Sequence, residues 1–129
     1  MDFHNIALQC AEIADDKKAA NIIVMDMREL TAITNYFVIC DAESVPQIRS
    51  IVEAVKKTLS KEAVHILHSE GKIGSRWVLL DYGGVVIHVF HKEARQFYNL
   101  ERLWGEAPQL RWQDSKKSAM RLKRSYKKK

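Results

Sequence analysis

The chain has 129 residues, of which 47% are hydrophobic and 29% are charged, and its formal net charge is +5. This length suits one domain with a single buried core. No segment approaches the roughly 20 consecutive apolar residues that a membrane span requires, and the opening MDFHNIALQC lacks the basic and apolar regions of a signal peptide. We therefore expect a cytoplasmic protein with no membrane partner.

The positive charge is concentrated at the C-terminal end of the chain. Residues 1–112 hold 13 basic and 15 acidic residues, whereas residues 113–129 hold eight basic residues and a single acid, Asp114. We predict a domain over residues 1–112 and a disordered basic tail over residues 113–129. Such tails serve solubility or attract nucleic-acid phosphates, so rRNA contact is one of two functions left open. The candidate rRNA-contacting residues are Lys116, Lys117, Arg121, Lys123 and Arg124.

The first part of the chain contains one helical pattern followed by two extended ones. Apolar residues recur at near-helical spacing from Ile6 to Ala14, which predicts an amphipathic first helix. Asn21–Met27 and Asn35–Cys40 are short apolar runs of the kind found in buried strands. The polar residues 28–34 between them predict a connecting turn.

A second helix is predicted from a capping pattern. Ser44 is followed by Pro46 near the first helical turn and by Gln47 three positions on, which matches a capping box. The helix should run from Pro46 to about Ser60, with its apolar positions directed to the core.

The second half of the predicted domain, which we call the body (residues 1–112), contains three extended segments and a final helix. Val64–His68, Arg76–Asp81 and Val85–His91 are predicted strands, and the tight spacing of the last two indicates a hairpin turn over residues 82–84. From Lys92 onward the apolar spacing is helical. The resulting order predicts an α/β fold, an α-β-α sandwich around a mixed five-stranded sheet.

Cysteine and histidine residues do not follow a metal-binding pattern. Cys10 and Cys40 have no ligand neighbours at metal-site spacing, so we interpret both as buried apolar residues. Two histidine pairs are each spaced by three along a predicted strand, so the members of each pair lie on opposite faces. The pairs are His65 with His68 and His88 with His91. We predict no metal and no cofactor, although imidazoles on different strands could still meet.

The polar residues of the hairpin suggest an enzyme only weakly. Asp81 and His88 could meet across the hairpin, and such a pair is half of a catalytic triad. The alternative is a cross-strand polar pair that fixes the turn. Asp26 and Asp81 are similar to the strand carboxylates of a metal-dependent nucleotidyltransferase, but the Gly-Ser phosphate-binding element is missing from the sequence. We therefore predict that the protein is not an enzyme, and keep a nucleotidyltransferase-like activity as the alternative.

Large aromatic residues are concentrated towards the end of the body. Tryptophan, tyrosine and arginine often carry the binding energy of protein interfaces, so this density favours a docking surface. Any one of these aromatics could instead belong to the core. The seven residues are Trp77, Tyr82, Phe90, Phe97, Tyr98, Trp104 and Trp112.

The chain contains an ordered set of short motifs between residues 3 and 112. The motifs are Asn35–Ile39, the helix start Ser44–Gln47, Glu70–Gly71, Trp77–Gly83, Val85–Phe90, Arg95, Phe97–Tyr98 and Leu100–Trp104. In this combination and order they resemble the ribosomal silencing factor family, also called the Iojap-related proteins. Gly84 departs from the family pattern, which usually has Asp after the turn glycine, and Asn35 stands where Asp is common.

The resemblance implies a translation repressor with a nucleotidyltransferase-like fold and no active site. Such proteins bind the fourteenth large-subunit ribosomal protein and block joining of the small subunit, especially when nutrients are scarce. A homodimer away from the ribosome, and a role as an RNA-binding accessory protein of ribosome assembly, stay open. The motif residues expected nearest the ribosomal protein are Trp77, Asp81, Tyr82, His88, Phe90, Arg95, Tyr98 and Trp104.

Overall fold

The computed structural model of the chain describes residues 2–71, 74–97, 105 and 107–114. Within these residues, three helices and six strands follow one another. They are α1 (Phe3–Asp16), β1 (Ala20–Asp26), β2 (Tyr36–Ala42), α2 (Val45–Lys61), β3 (His68–Glu70), β4 (Trp77–Asp81), β5 (Val85–His91), α3 (Lys92–Phe97) and β6 (Gln109–Leu110). A short 3-10 turn, Trp112–Asp114, follows β6 and straddles the predicted domain boundary at residue 112.

The described strands form one mixed sheet in the order β3-β4-β5-β2-β1-β6. β2 and β5 run parallel, from Tyr36 opposite Val85 to Ala42 opposite His91, and the other neighbouring pairs are antiparallel. A parallel pair requires a long crossover, which α2, β3 and β4 supply. The predicted α/β class with a mixed sheet is confirmed.

One face of the sheet is covered by α1 and α2. Asp2 caps α1 by accepting a hydrogen bond from the N–H of Asn5 at 3.2 Å. Alternate strand positions direct their side chains to this face, where they pack against the apolar stripes of the two helices. The largest fully buried members of this cluster are Val24, Val38, Ile51, Val55, Leu59, Leu80, Val85 and Ile87.

Gln47 joins the two helices of this layer. As the capping pattern predicts, the hydroxyl of Ser44 accepts a hydrogen bond from the N–H of Gln47 at 3.2 Å. The side-chain oxygen of Gln47 accepts from the N–H of Glu43 at 2.8 Å, and its amide nitrogen donates to the carbonyls of Lys17 and Lys18 at 3.0 and 2.9 Å. One side chain therefore ties the start of α2 to the end of α1.

The opposite face carries a smaller apolar cluster under α3. Met25, Met27, Ile39 and Phe90 from the strands are buried together with Ala94 of α3. Helices thus lie on both faces of the sheet, as the predicted α-β-α sandwich requires.

Two predictions about the strands were wrong. The segment Val64–His68 is not a strand, because pairing with β4 begins only at His68 and continues to Glu70. The sheet also has six described strands rather than five. The additional strand, β6, has only two residues and pairs with Val24 and Met25 of β1. Two residues are too few to show an alternating pattern in the sequence.

The described part of the chain contains no helix with the length and the apolar character needed to cross a membrane. Cys10 and Cys40 are free thiols within the core, and burial raises the pKa of each to about 12, so both stay protonated at neutral pH. Their predicted role as buried apolar residues is confirmed.

The turn between β4 and β5 lies against the first residues of α1. A Cβ atom added to Gly84 would lie 2.1 Å from Cδ2 and 2.2 Å from Cγ of Phe3, far inside van der Waals contact. The carbonyl of Gly84 accepts hydrogen bonds from the N–H groups of Asn35 and Tyr36 at 3.1 and 3.0 Å, which anchors the turn to β2. The ring of Phe3 therefore gives a physical reason for glycine at a position where the resembling family usually has Asp.

We expect the substitution Gly84→Ala to lower the free energy of unfolding by about 1–3 kcal/mol, because the added methyl group forces Phe3 or the turn to move. Urea denaturation monitored by circular dichroism measures the change. In a Phe3→Ala background the same substitution should cost less than about 1 kcal/mol, because the colliding ring is gone. An equal cost in both backgrounds would contradict the proposed collision.

Candidate functional site

The hairpin of β4 and β5 and the neighbouring strand β2 place a set of aromatic and polar side chains on the face opposite α1 and α2. Trp77 lies opposite Phe90, Leu79 opposite His88, and Asp81 opposite Val86. In the parallel pair, Phe37 of β2 lies opposite Val86. Because facing residues share one side of a sheet, these positions form a continuous surface. We call it the Trp77 face and define it by Phe37, Trp77, Leu79, Asp81, His88 and Phe90.

Aromatic contacts fix the geometry of the Trp77 face. The rings of Trp77 and Phe90 stack with centroids 5.0 Å apart, and Phe37 meets His88 edge to face at 4.9 Å. The indole N–H of Trp77 also donates a hydrogen bond to Nδ1 of His88 at 3.3 Å. Phe90 and His88 are buried, whereas Trp77 and Phe37 are half-buried. The outer aromatics are therefore held by rings and a hydrogen bond beneath them.

His88 is neutral in this environment. Burial lowers the pKa of its imidazole to about 4, because the charged form would lose its hydration. Since Nδ1 accepts from Trp77, the single proton of the neutral ring lies on Nε2. Within the described part of the chain, Nε2 has no hydrogen-bond partner. A histidine that stays neutral and is covered by aromatic rings suits packing better than proton transfer at neutral pH.

Asp81 stabilises the hairpin turn through the backbone. Its Oδ1 accepts a hydrogen bond from the N–H of Gly83 at 2.8 Å, and Gly83 has a positive φ of 87°. The predicted pairing of Asp81 with His88 is therefore wrong. The two residues share a face, but Asp81 lies opposite Val86 while His88 lies opposite Leu79. Each has a different hydrogen-bond partner, so the turn is fixed by a carboxylate and a backbone amide.

The third residue of the enzyme alternative lies on the other face of the sheet. Asp26 faces Tyr36 in the strand register, whose side chain belongs to the cluster under α1 and α2. Two hydrogen bonds from the Arg28 guanidinium, at 2.9 and 2.7 Å, hold the pKa of the Asp26 carboxyl below its usual range. Asp26, Asp81 and His88 thus do not form one site. Among the described residues, no group of three or more His, Cys, Asp or Glu side chains is arranged to hold a metal ion.

The other predicted docking residues occupy different environments. Tyr82 is buried beneath α1 and α2, and burial raises the pKa of its hydroxyl to about 12. Arg95 is buried beside Asp41. Tyr98, Trp104 and the basic residues Lys116, Lys117, Arg121, Lys123 and Arg124 lie outside the described residues. Their predicted contacts, like the docking role of the whole set, stay predictions.

Sequence reasoning missed two members of the Trp77 face, Phe37 and Leu79. Leu79 was predictable from the sequence, because alternate residues of a strand share a face and this places Leu79 beside Trp77 and Asp81. Phe37 required the parallel register of β2 with β5, which pairs strands distant in the sequence.

The low pKa of His88 predicts a pH-dependent stability. The folded pKa, about 4, lies below the usual value of 6.5, so the unfolded chain binds the proton first as the pH falls. The contribution of neutral His88 to the free energy of unfolding is fully present above pH 6.5. It is lost as the pH falls from 6.5 to about 4, and the total loss is about 3 kcal/mol. Urea unfolding across this range measures the loss.

The variant His88→Gln provides the matched control, because it keeps a hydrogen-bond acceptor for Trp77 but does not titrate in this range. The difference in unfolding free energy between the original chain and the variant should shrink steadily towards pH 4. Parallel curves for the two proteins would show that His88 does not cause the loss.

Comparison with known proteins matches this chain to one protein family and to individual members of that family. A family model described as "RsfS: Ribosomal silencing factor during starvation" matches residues 1–129. The ribosomal silencing factor RsfS of Bacillus subtilis is 40% identical over 108 residues, covering 84% of this chain and 92% of its own length. RsfS of Halalkalibacterium halodurans is 44% identical over 94 residues, covering 73% of this chain and 80% of its own length.

Solved structures agree with these sequence relationships. A crystal structure of a protein from Chromobacterium violaceum matches with a TM-score of 0.78 and 32% identity, covering 81% of this chain and 88% of that one. A crystal structure from Bacillus halodurans matches with a TM-score of 0.69 and 39% identity, covering 80% of this chain and 94% of that one. On the match of the family model to residues 1–129, and on the identity to the two RsfS proteins, the chain belongs to the ribosomal silencing factor family.

Proposed function

We propose that this protein represses translation in the cytoplasm by binding the large ribosomal subunit and blocking its association with the small subunit, above all under nutrient limitation. The proposed partner on the large subunit is its fourteenth ribosomal protein. The observation that carries the proposal is the Trp77 face, in a chain that belongs to the ribosomal silencing factor family.

The Trp77 face combines a restrained aromatic side chain with partial solvent exposure, which favours a role in protein binding. Trp77 is held from below by the stacked ring of Phe90 and by the hydrogen bond to His88, so little side-chain entropy remains to be lost on binding. Rigid aromatic side chains of this kind supply a large share of the energy at protein interfaces. Trp77 and Asp81 are half-buried, which leaves part of each side chain accessible at the surface.

The charge of the body favours a basic partner. Residues 1–112 carry two more acidic than basic residues, and Asp81 adds a negative charge at the edge of the Trp77 face. Ribosomal proteins commonly present basic surfaces, and opposite charges steer association and fix orientation. The carboxylate of Asp81 keeps one oxygen for the N–H of Gly83, and its second oxygen is the proposed partner contact.

Steric exclusion completes the proposed mechanism. A folded domain docked on the joining surface of the large subunit occupies volume that the small subunit would otherwise fill. This mechanism needs no chemical step. It agrees with the separation of Asp26 from Asp81 and His88 on opposite faces of the sheet.

Subunit joining tests the proposal directly. Purified large and small subunits mixed with the protein should give a reduced joined-ribosome peak in a sucrose gradient, and the protein should co-sediment with isolated large subunits. An undiminished joined peak at saturating protein would reject the proposed mechanism.

The substitution Asp81→Asn tests the docking face without removing the turn contact. The asparagine oxygen can still accept from the N–H of Gly83, while the charge is lost. We expect binding to large subunits to weaken by about fivefold to tenfold, as for loss of one charged contact at an interface. The matched control is Glu53→Gln, which removes the same charge from the exposed side of α2 on the opposite face of the molecule. Equal effects of the two variants would argue against docking through the Trp77 face.

The basic tail separates the docking proposal from RNA binding. Replacing Lys116, Lys117, Arg121, Lys123 and Arg124 with glutamine keeps the chain length and removes five positive charges. If docking uses the body, the variant should still co-sediment with large subunits, with a weaker dependence of affinity on salt. Complete loss of co-sedimentation would instead favour an RNA-binding accessory protein of ribosome assembly.

A further inference from the structure

A buried ion pair links α3 to the ends of β1 and β2. Nη1 of Arg95 lies 3.4 Å from Oδ2 of Asp41, and the two side chains are only 9% and 7% exposed. The same nitrogen donates a hydrogen bond to the carbonyl of Asn21 at 2.5 Å. The side-chain amide of Asn21 donates to Oδ2 of Asp41 at 2.9 Å. We call Asn21, Asp41 and Arg95 the Arg95 cluster.

An irregularity in β1 makes this cluster possible. The register of β1 against β2 shifts between Ala20 and Ile23, and Asn21 has a positive φ of 50°. Asparagine adopts this left-handed conformation more readily than most residues. A bulge of this kind turns one residue out of the regular ladder, so that both the carbonyl and the side chain of Asn21 take part in the cluster.

The cluster holds the described part of α3 against the sheet. Arg95 lies in α3, whereas its partners Asp41 and Asn21 lie in β2 and β1. Ala94 of α3 packs in the cluster of buried residues that contains Phe90, and Phe90 carries the stacked ring of Trp77. A continuous set of contacts therefore runs from the ion pair through α3 to the Trp77 face.

Because Arg95 and Asp41 are both buried, removal of only one of the two charges should destabilise the protein. A buried charge is strongly destabilising when its partner is removed, whereas a well-packed apolar pair can replace both charges. Arg95 is also covered in the free protein, so a direct contact with a docking partner would require α3 to move away from the sheet.

We propose that Arg95 acts as a positioning residue for docking: through Asp41 and Asn21 it holds α3 against the sheet, and through Ala94 and Phe90 it sets the orientation of Trp77. This inference rests on the proposed function, because Trp77 is its proposed docking anchor.

The first test uses the free protein, so that it does not depend on ribosome binding. The full chain is labelled with fluorotryptophan, and the fluorine NMR signal of Trp77 is assigned from a Trp77→Phe variant. The variant Arg95→Met should shift or broaden this signal, and the pair Asp41→Leu with Arg95→Met should restore it. An unchanged Trp77 signal in folded Arg95→Met protein would overturn the positioning role even if the protein binds ribosomes as proposed.

The second test measures affinity for isolated large subunits. Arg95→Met alone should weaken binding by about tenfold, within the range of coupling seen in one buried network, and the apolar pair should restore it to within about threefold of the original chain. The dependence of affinity on salt should be unchanged in the pair, because no charge at the docking surface is lost.

Two results would contradict the inference. A folded apolar pair that binds about tenfold more weakly, with a reduced salt dependence, would make Arg95 a direct contact. Failure of the pair to fold would also count against the inference, because an ion pair that only positions α3 is replaceable by apolar packing. Absence of binding by the original chain rejects the proposed function alone, since the fluorine signal still reports on the positioning role.

Discussion

The parallel pairing of β2 with β5 is the contact on which the arrangement of the described sheet and of its helices depends. Both strands are central in the sheet, and β5 is buried along its whole length on both faces. One set of alternate residues packs under α1 and α2, and the other set supports α3 and the Trp77 face. The register of this single pair brings Phe37 beside Val86 and His88, and it brings Asp41 beside Phe90, next to the helix that carries Arg95.

The burial of strand residues on both faces of the sheet also explains the roles of the buried polar side chains. Asp41 and His88 are both buried, so each must find a partner or stay neutral. Asp41 is matched by Arg95 and Asn21, and His88 accepts from Trp77 and is uncharged. These two buried polar side chains therefore serve the placement of α3 and of the Trp77 ring. This use of polar groups is consistent with the docking role proposed for the Trp77 face.

Local patterns predicted the helices and most strands because those signals act over short distances. Ser44 and Gln47 gave the start of α2, and the hairpin of β4 and β5 followed from two apolar runs and a tight turn. The incorrect predictions concern the pairing and register of strands. β6 has too few residues for a pattern, β3 is defined by its contacts with β4, and the partners of Asp81 and His88 depend on register. The burial of Arg95 depended on a bulge at Asn21, which a lone asparagine in an apolar run does not reveal.

The strand order has a consequence for the synthesis of this protein. β2 is separated from its parallel neighbour β5 by α2, β3 and β4, so the centre of the sheet cannot close until nearly the whole body has left the ribosome. Until then, one edge of β2 presents unpaired backbone groups and buried-type side chains, the kind of edge that aggregates. The tie made by Gln47 needs only α1 and α2, which are complete by Lys61. The helical layer can therefore assemble early and shelter one side of the nascent sheet while β5 is still being made.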